Sequence, residues 1–102
     1  MNDHRRIDAR SLALARAIVE HIDRDPQRTG LETARTVLAR WRQTQDLSVM
    51  AEWQAILERP WEEIRLVLLD EGETGCRLRQ SSPFCQVLSN RERWDIHRAF
   101  AS

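Results

Sequence analysis

The sequence predicts an all-α protein. It reads as a single small domain of five to six helices, an N-terminal antiparallel helical hairpin over residues 1–45 packed against shorter helices over residues 46–102. Three observations carry this. Apolar residues recur at three- and four-residue steps through most of the chain, the spacing of one helical face. Prolines and helix-start signals divide that pattern into segments of helical length. No segment alternates apolar and polar residues cleanly enough for a strand, and the chain has no internal repeat or low-complexity segment.

The first helix is expected over Asp3–Arg24, where Ile7, Ser11, Leu14, Ala15, Ile18 and Ile22 share a face. Asp25-Pro26 then restarts the chain. Asp25 is a capping residue, and Pro26 suits a first helical position, whose N–H would be unpaired in any case. The second helix is expected from Pro26 to Thr44, with Leu31, Ala34, Leu38 and Trp41 in line and Val37 alongside. Gly30 weakens its opening by up to about 1 kcal/mol relative to alanine. The short link between the two helices implies an antiparallel pair.

Gln43-Thr44-Gln45-Asp46 reads as a polar turn, with Asp46 or Ser48 capping a third helix over Ser48–Glu58 that aligns Met50, Trp53 and Leu57. The stripe continues past Pro60 through Trp61, Ile64 and Leu68 without losing phase. A proline inside a helix costs about 3 kcal/mol and steers the residue before it away from helical angles. Two helices are therefore expected, Pro60 opening the second, which runs to Glu71. Glu62 and Glu63 suit the positive end of its dipole, and Val67-Leu68-Leu69 is expected to sit deep.

Gly72 and Gly75 break the chain before a short fifth helix over Thr74–Gln80. Ser82-Pro83 ends it, with one further turn through Cys85 to Val87. The last helix has the clearest start. Ser89-Asn90-Arg91-Glu92 fits a capping box, in which Ser89 and Glu92 each satisfy a free N–H, and Trp94, His97 and Phe100 follow.

Composition narrows the function classes. The length supports one modest core. No run is apolar enough to span a bilayer, and the N-terminus lacks the apolar stretch of a signal peptide, so a cytoplasmic protein is expected. Cys76 and Cys85 are too few for a disulfide framework and read as free thiols. The formal net charge is zero, which gives no overall attraction to nucleic acid. The charge is nonetheless uneven: residues 46–73 hold two arginines against eight acids, and residues 74–102 hold five arginines against two acids. Every basic side chain other than histidine is arginine, which suits carboxylates and phosphates but fits a GC-rich genome equally well.

Candidate chemistry is thin. Glu62/Glu63 and Asp70/Glu71/Glu73 are adjacent or nearly so, and neighbours along a helix diverge, so they read as solvated faces rather than catalytic pairs. Cys76, Cys85 and His97 would have to converge to hold a metal. Cys85 would be a reactive thiol only if Arg77 or Arg79 lowered its pKa. No glycine-rich phosphate loop or dinucleotide fingerprint is present, and no cofactor is implied. Trp41, Trp53, Trp61 and Trp94 all fall on apolar stripes and are expected in the core.

The densest hydrogen-bonding stretch is Arg77-Leu78-Arg79-Gln80-Ser81-Ser82-Pro83-Phe84, expected to face outward. With Arg91 and Arg93 it supplies a candidate contact surface for another protein: Arg77, Arg79, Gln80, Ser82, Phe84, Arg91 and Arg93. A local clamp, in which Arg79 bonds helix C-terminal carbonyls or an acid such as Glu92 or Asp70, accounts for the stretch equally well. Residues 60–82 also outline a helix-turn-helix, with Arg77, Arg79 and Gln80 able to read base edges. The glycines and Pro83 keep that second helix very short.

Leu78-Arg79-Gln80-Ser81-Ser82-Pro83-Phe84, followed by Leu88 and Arg91-Glu92-Arg93-Trp94, with Trp53, Leu57 and Leu68 upstream, resembles the C-terminal half of a group of short bacterial helical proteins of unassigned activity. The resemblance covers about half the chain. Those proteins carry a glycine shortly after the Pro-Phe pair, where this chain has Cys85-Gln86. The resemblance implies a protein-binding role in the style of toxin–antitoxin gene pairs, and no more. The expected function is a non-enzymatic protein–protein interaction module; the alternative is a DNA-binding regulator using the same arginines.

Overall fold

In the computed structural model, which describes residues 3–45 and 47–100, the chain forms six helices and no strand among those residues. They are α1 (Asp3–Arg24), α2 (Thr29–Thr44), α3 (Ser48–Leu57), α4 (Trp61–Leu68), α5 (Glu73–Arg79) and α6 (Asn90–Ala99). The Cα radius of gyration is 13.4 Å, that of one compact globule. The expected roles of the Ile7 side chain and of Asp46 lie outside the described residues.

α1 is the hub. It packs against α2, α4, α5 and α6, while α3 bridges α2 and α4. The stripe through Ala15, Ile18 and Ile22 is buried together with Val19, and it meets Leu31, Ala34 and Leu38 of α2. Gly30 lies against Ile22, and Trp41, near the other end of α2, shares a cleft with Leu14 and Ile18. The two helices therefore run antiparallel.

The start of α2 differs from expectation. Pro26 does not open it; the helix begins at Thr29, after Arg28 adopts a left-handed conformation with φ 50°. The Asp25 carboxylate explains the delay. It accepts from the Gln27 N–H at 3.0 Å, the Thr29 N–H at 2.8 Å and the Thr29 hydroxyl at 2.6 Å, folding residues 25–29 into a turn. Gly30 then has a packing reason: a Cβ there would lie 2.7 Å from Ile22 Cγ1. The missing side chain lets α1 and α2 approach closely.

At Pro60 the two-helix expectation holds. Pro60 is the residue before α4, with ψ 153°, and its carbonyl accepts from Glu63 and Ile64. α3 starts without a side-chain cap at Leu47, so Ser48 does not cap it. α4 ends at Leu68, three residues before the expected Glu71, and Leu68 is buried while Val67 and Leu69 are half-buried. Gly75 is required where α5 crosses the end of α4, because a Cβ would fall 2.1 Å from the Asp70 carbonyl oxygen. The capping box of α6 forms as expected, Glu92 N–H to Ser89 Oγ at 3.1 Å and Ser89 N–H to Glu92 Oε1 at 2.9 Å.

Three polar ties fix the helices. Asp23 of α1 accepts from Trp61 Nε1 at 2.8 Å and pairs with Arg65 at 3.0 Å, both on α4. Those bonds, from Arg65 first and Trp61 second, hold its carboxyl below the usual range. Glu52 of α3 takes a two-pronged pair from Arg77 of α5, at 2.8 and 2.9 Å. Arg35 of α2 donates to the Leu57 carbonyl at the end of α3.

Candidate functional site

The octapeptide does not face outward as a unit. Phe84 is fully buried, its ring edge-on to Trp53 with centroids 5.9 Å apart. Trp53 Nε1 donates to the Leu78 carbonyl at 3.0 Å, so the Trp–Phe pair is stitched to the end of α5. Burying two large aromatics together is favourable beyond their area alone. Phe84 is thus part of the core and not of an exposed contact surface.

Arg79 is likewise inside, with 8% of its surface exposed. NH1 donates to the Leu68 carbonyl at 3.1 Å and to the Asp70 carbonyl, Nε to Ser11 Oγ at 3.1 Å, and NH2 to Cys76 Sγ at 3.4 Å. Leu68 is the last residue of α4 and Asp70 lies just past its C-cap, where unpaired carbonyls form the negative end of the helix dipole. That end supplies the counter-charge a buried guanidinium needs. Of the two accounts open at the sequence level, the clamp describes Arg79, through carbonyls rather than through the carboxylate of Glu92 or Asp70. The Asp70 carboxylate instead accepts from the Gly72 N–H.

Arg77 points away from Arg79 and is committed to Glu52. Arg91 is exposed on α6. Gln80, Ser82 and Arg93, with one edge of Arg79, come together in a cleft of about 370 Å³. Its floor is Leu14 and Ile18 of α1, Trp41 of α2 and Leu88; its walls are the 80–85 segment and Arg93 and His97 of α6. The Ser82 hydroxyl accepts from the Phe84 N–H at 3.2 Å, which fixes the turn at the cleft edge. Arg93 NH1 donates to the Cys85 carbonyl at 3.0 Å and NH2 to Asn90 Oδ1, which ties α6 to the segment before it.

Sequence reasoning missed most of the cleft. Leu14 and Ile18 read as ordinary positions of the α1 stripe, Leu88 enters only among the residues that carry the resemblance, and the signal for Trp41 is only its place on the α2 stripe. Trp94 is a plain correction. Expected in the core, it is 62% exposed, because α6 buries none of its residues fully. It follows Arg93 and precedes His97 by about one turn on the same helix.

Cys85 lines the cleft with His97, while Cys76 sits beside Glu71 and Arg79; both are free thiols. Among the described residues no group of three His, Cys, Asp or Glu side chains is placed to hold a metal ion, and no helix is long and apolar enough to cross a membrane. Comparison with protein-family models, curated proteins and solved structures finds no match to this chain.

Proposed function

We propose that the chain is a non-enzymatic protein–protein interaction module whose contact surface is the cleft and its α6 lip. The observation that carries this is the concave, apolar-floored cleft bordered by hydrogen-bonding groups, with an exposed tryptophan on α6, the helix that supplies Arg93 and His97 to it. Such a combination suits an anchor side chain from a partner: the floor desolvates it, Gln80 and Ser82 satisfy its backbone, and Trp94 adds a large rigid contact. Arg91 and Arg93 give the lip a positive character that steers an acidic partner. The resemblance of the C-terminal half, from about Trp53 onward, to short bacterial proteins of unassigned activity implies a protein-binding role and points the same way. Free Cys76 and Cys85 fit work in a reducing, cytoplasmic setting.

The alternative, a DNA-binding regulator built on residues 60–82, finds less support. α5 has seven residues, Arg79 is interior and Arg77 is engaged by Glu52, so Gln80 alone among the expected base readers is unengaged. Affinity for duplex DNA should be weak and show no steep fall with added salt.

The test is affinity capture from the native host with the intact chain, followed by binding measurements with the purified partner. A stoichiometric partner should be lost with Trp94→Ala and with Ser82→Trp, which fills the cleft. It should be kept with Leu66→Ala, an exposed position on α4. Equal recovery by all three variants would refute the assignment.

A further inference from the structure

The charge of the cleft narrows what it can receive. Every charged side chain on its walls is a cation: Arg79 and Arg93, joined by the His97 imidazole. Among the described residues no carboxylate lines it. Four further clefts, of about 230 to 380 Å³, each carry at least one: Glu58 in one, Glu52 and Asp70 in the next, Asp25 in a third, Asp8 and Glu71 in the last. In a chain with equal numbers of acids and arginines, this concavity is floored by hydrocarbon and its charged wall groups are arginine donors.

Those donors are not used up. A guanidinium has five N–H groups, and Arg93 spends two on the Cys85 carbonyl and Asn90 among the described residues. The half-buried His97 imidazole makes no side-chain hydrogen bond to them. The cleft therefore offers charge-assisted donors and an apolar floor within one hollow of about 370 Å³, and calls for an anion attached almost directly to an apolar group.

Within a polypeptide that pairing is hard to supply from two neighbouring side chains. Successive side chains point to opposite faces of a strand and diverge on a helix. A chain terminus supplies it at once, since the last carboxylate is bonded to the Cα that bears the last side chain. The geometry points to the apolar C-terminal residue of a partner protein as the occupant, its side chain on Leu14, Ile18 and Leu88 and its free carboxylate on Arg93 and His97. This rests on the protein-binding reading above and gives that partner its chemistry.

The test is an NMR titration of the full chain with the tripeptide acetyl-Ala-Ala-Leu as the free acid, with the same tripeptide as its C-terminal amide, and with octanoate. The free acid should bind at least about tenfold more tightly than the amide, the difference of one or two charge-assisted hydrogen bonds. Shifts should centre on Ser81, Ser82 and Leu88, and Arg93→Gln should reduce the acid–amide ratio to about twofold or less. Equal affinity for acid and amide, shifts centred elsewhere, or silence toward both peptides would overturn the inference. Binding of octanoate alone would also overturn it and mark the cleft as a small-molecule site. Because the acid–amide comparison is made on the unmodified chain, it does not depend on how Arg93→Gln folds. The titration uses a synthetic terminus, so it judges this inference alone, whereas the capture experiment judges the protein-binding function alone. A partner held in the cleft by an internal segment would sink the first and leave the second standing.

Discussion

The segment 77–84 and helix α6 are made of the same kinds of residue, arginines around a large aromatic, and the fold uses them in opposite ways. In 77–84 the aromatic and one arginine go inside: Phe84 against Trp53, Arg79 onto the end of α4. In α6 the aromatic goes outside, and no residue is fully buried. The difference is what lies within reach. Arg79 meets a helix end whose carbonyls need donors, and Ser11 completes its set. Trp94 meets no covering element, since the described contacts of α6 run chiefly to α1. Residue type alone therefore does not decide between clamp and contact surface; the presence of an unsatisfied partner does.

The sharpest way to break the comparison is Phe84→Ala. Truncating a fully buried aromatic should cost about 3–5 kcal/mol, read as a lower denaturation midpoint in urea. A loss below about 1 kcal/mol would show that 77–84 is no more internal than α6. Arg79→Met comes next. It leaves the Leu68 and Asp70 carbonyls without their donor and should cost about 2–4 kcal/mol, partly offset by the retained apolar stem. If the variant were as stable as the parent, the clamp would be ornamental.

Ser89→Ala sharpens the α6 side, with an expected loss of about 1 kcal/mol from the broken capping box. The same box gives a pH dependence. The Ser89 N–H and hydroxyl hold Glu92 below its ordinary value of 4.5. A carboxylate depressed on folding contributes stability that is present above its unfolded pKa and disappears as pH falls through the folded one. Asp23, held below 3.8 by Arg65 and Trp61, acts in the same sense. Stability should therefore fall on acidification below about pH 4.5, and Asp23→Asn should flatten part of that limb in an acid unfolding series. The smallest expected effect on stability is Trp94→Ala, within about 0.5 kcal/mol of the parent. The same change should abolish partner capture, which separates the contact surface from the core.

Much of the helical layout was legible before any fold was seen. The α1 and α2 stripes, the break at Pro60 and the α6 capping box are local patterns, and local patterns survive in tertiary structure. The errors are equally local in origin. Asp25-Pro26 has the sequence form of a cap followed by a first helical residue, but the Asp25 carboxylate binds Thr29 and delays the helix. Gly30 and Gly75 have the sequence form of weaknesses or breaks, but each marks a close approach between neighbouring elements, Gly30 to Ile22 of α1 and Gly75 to Asp70 just after α4. The cleft was scarcely legible at all. Its residues come from α1, α2, the end of α5, the 80–88 segment and α6, and their sharing of a concavity depends on how those elements meet.

By itself, then, the order of residues determined that the chain is all helical and narrowed the helices to five or six, because hydrogen bonding within a helix and the periodicity of its apolar face involve neighbours no more than a few positions apart. Only the tertiary structure decided which arginine is swallowed, which tryptophan is bare and which hollow lacks an acid. Those outcomes depend on partners dozens of residues away: Ser11 to Arg79, Trp53 to Phe84, Leu14 to His97. A guanidinium or an indole has nearly the same local preferences in either setting, and its surroundings settle where it goes.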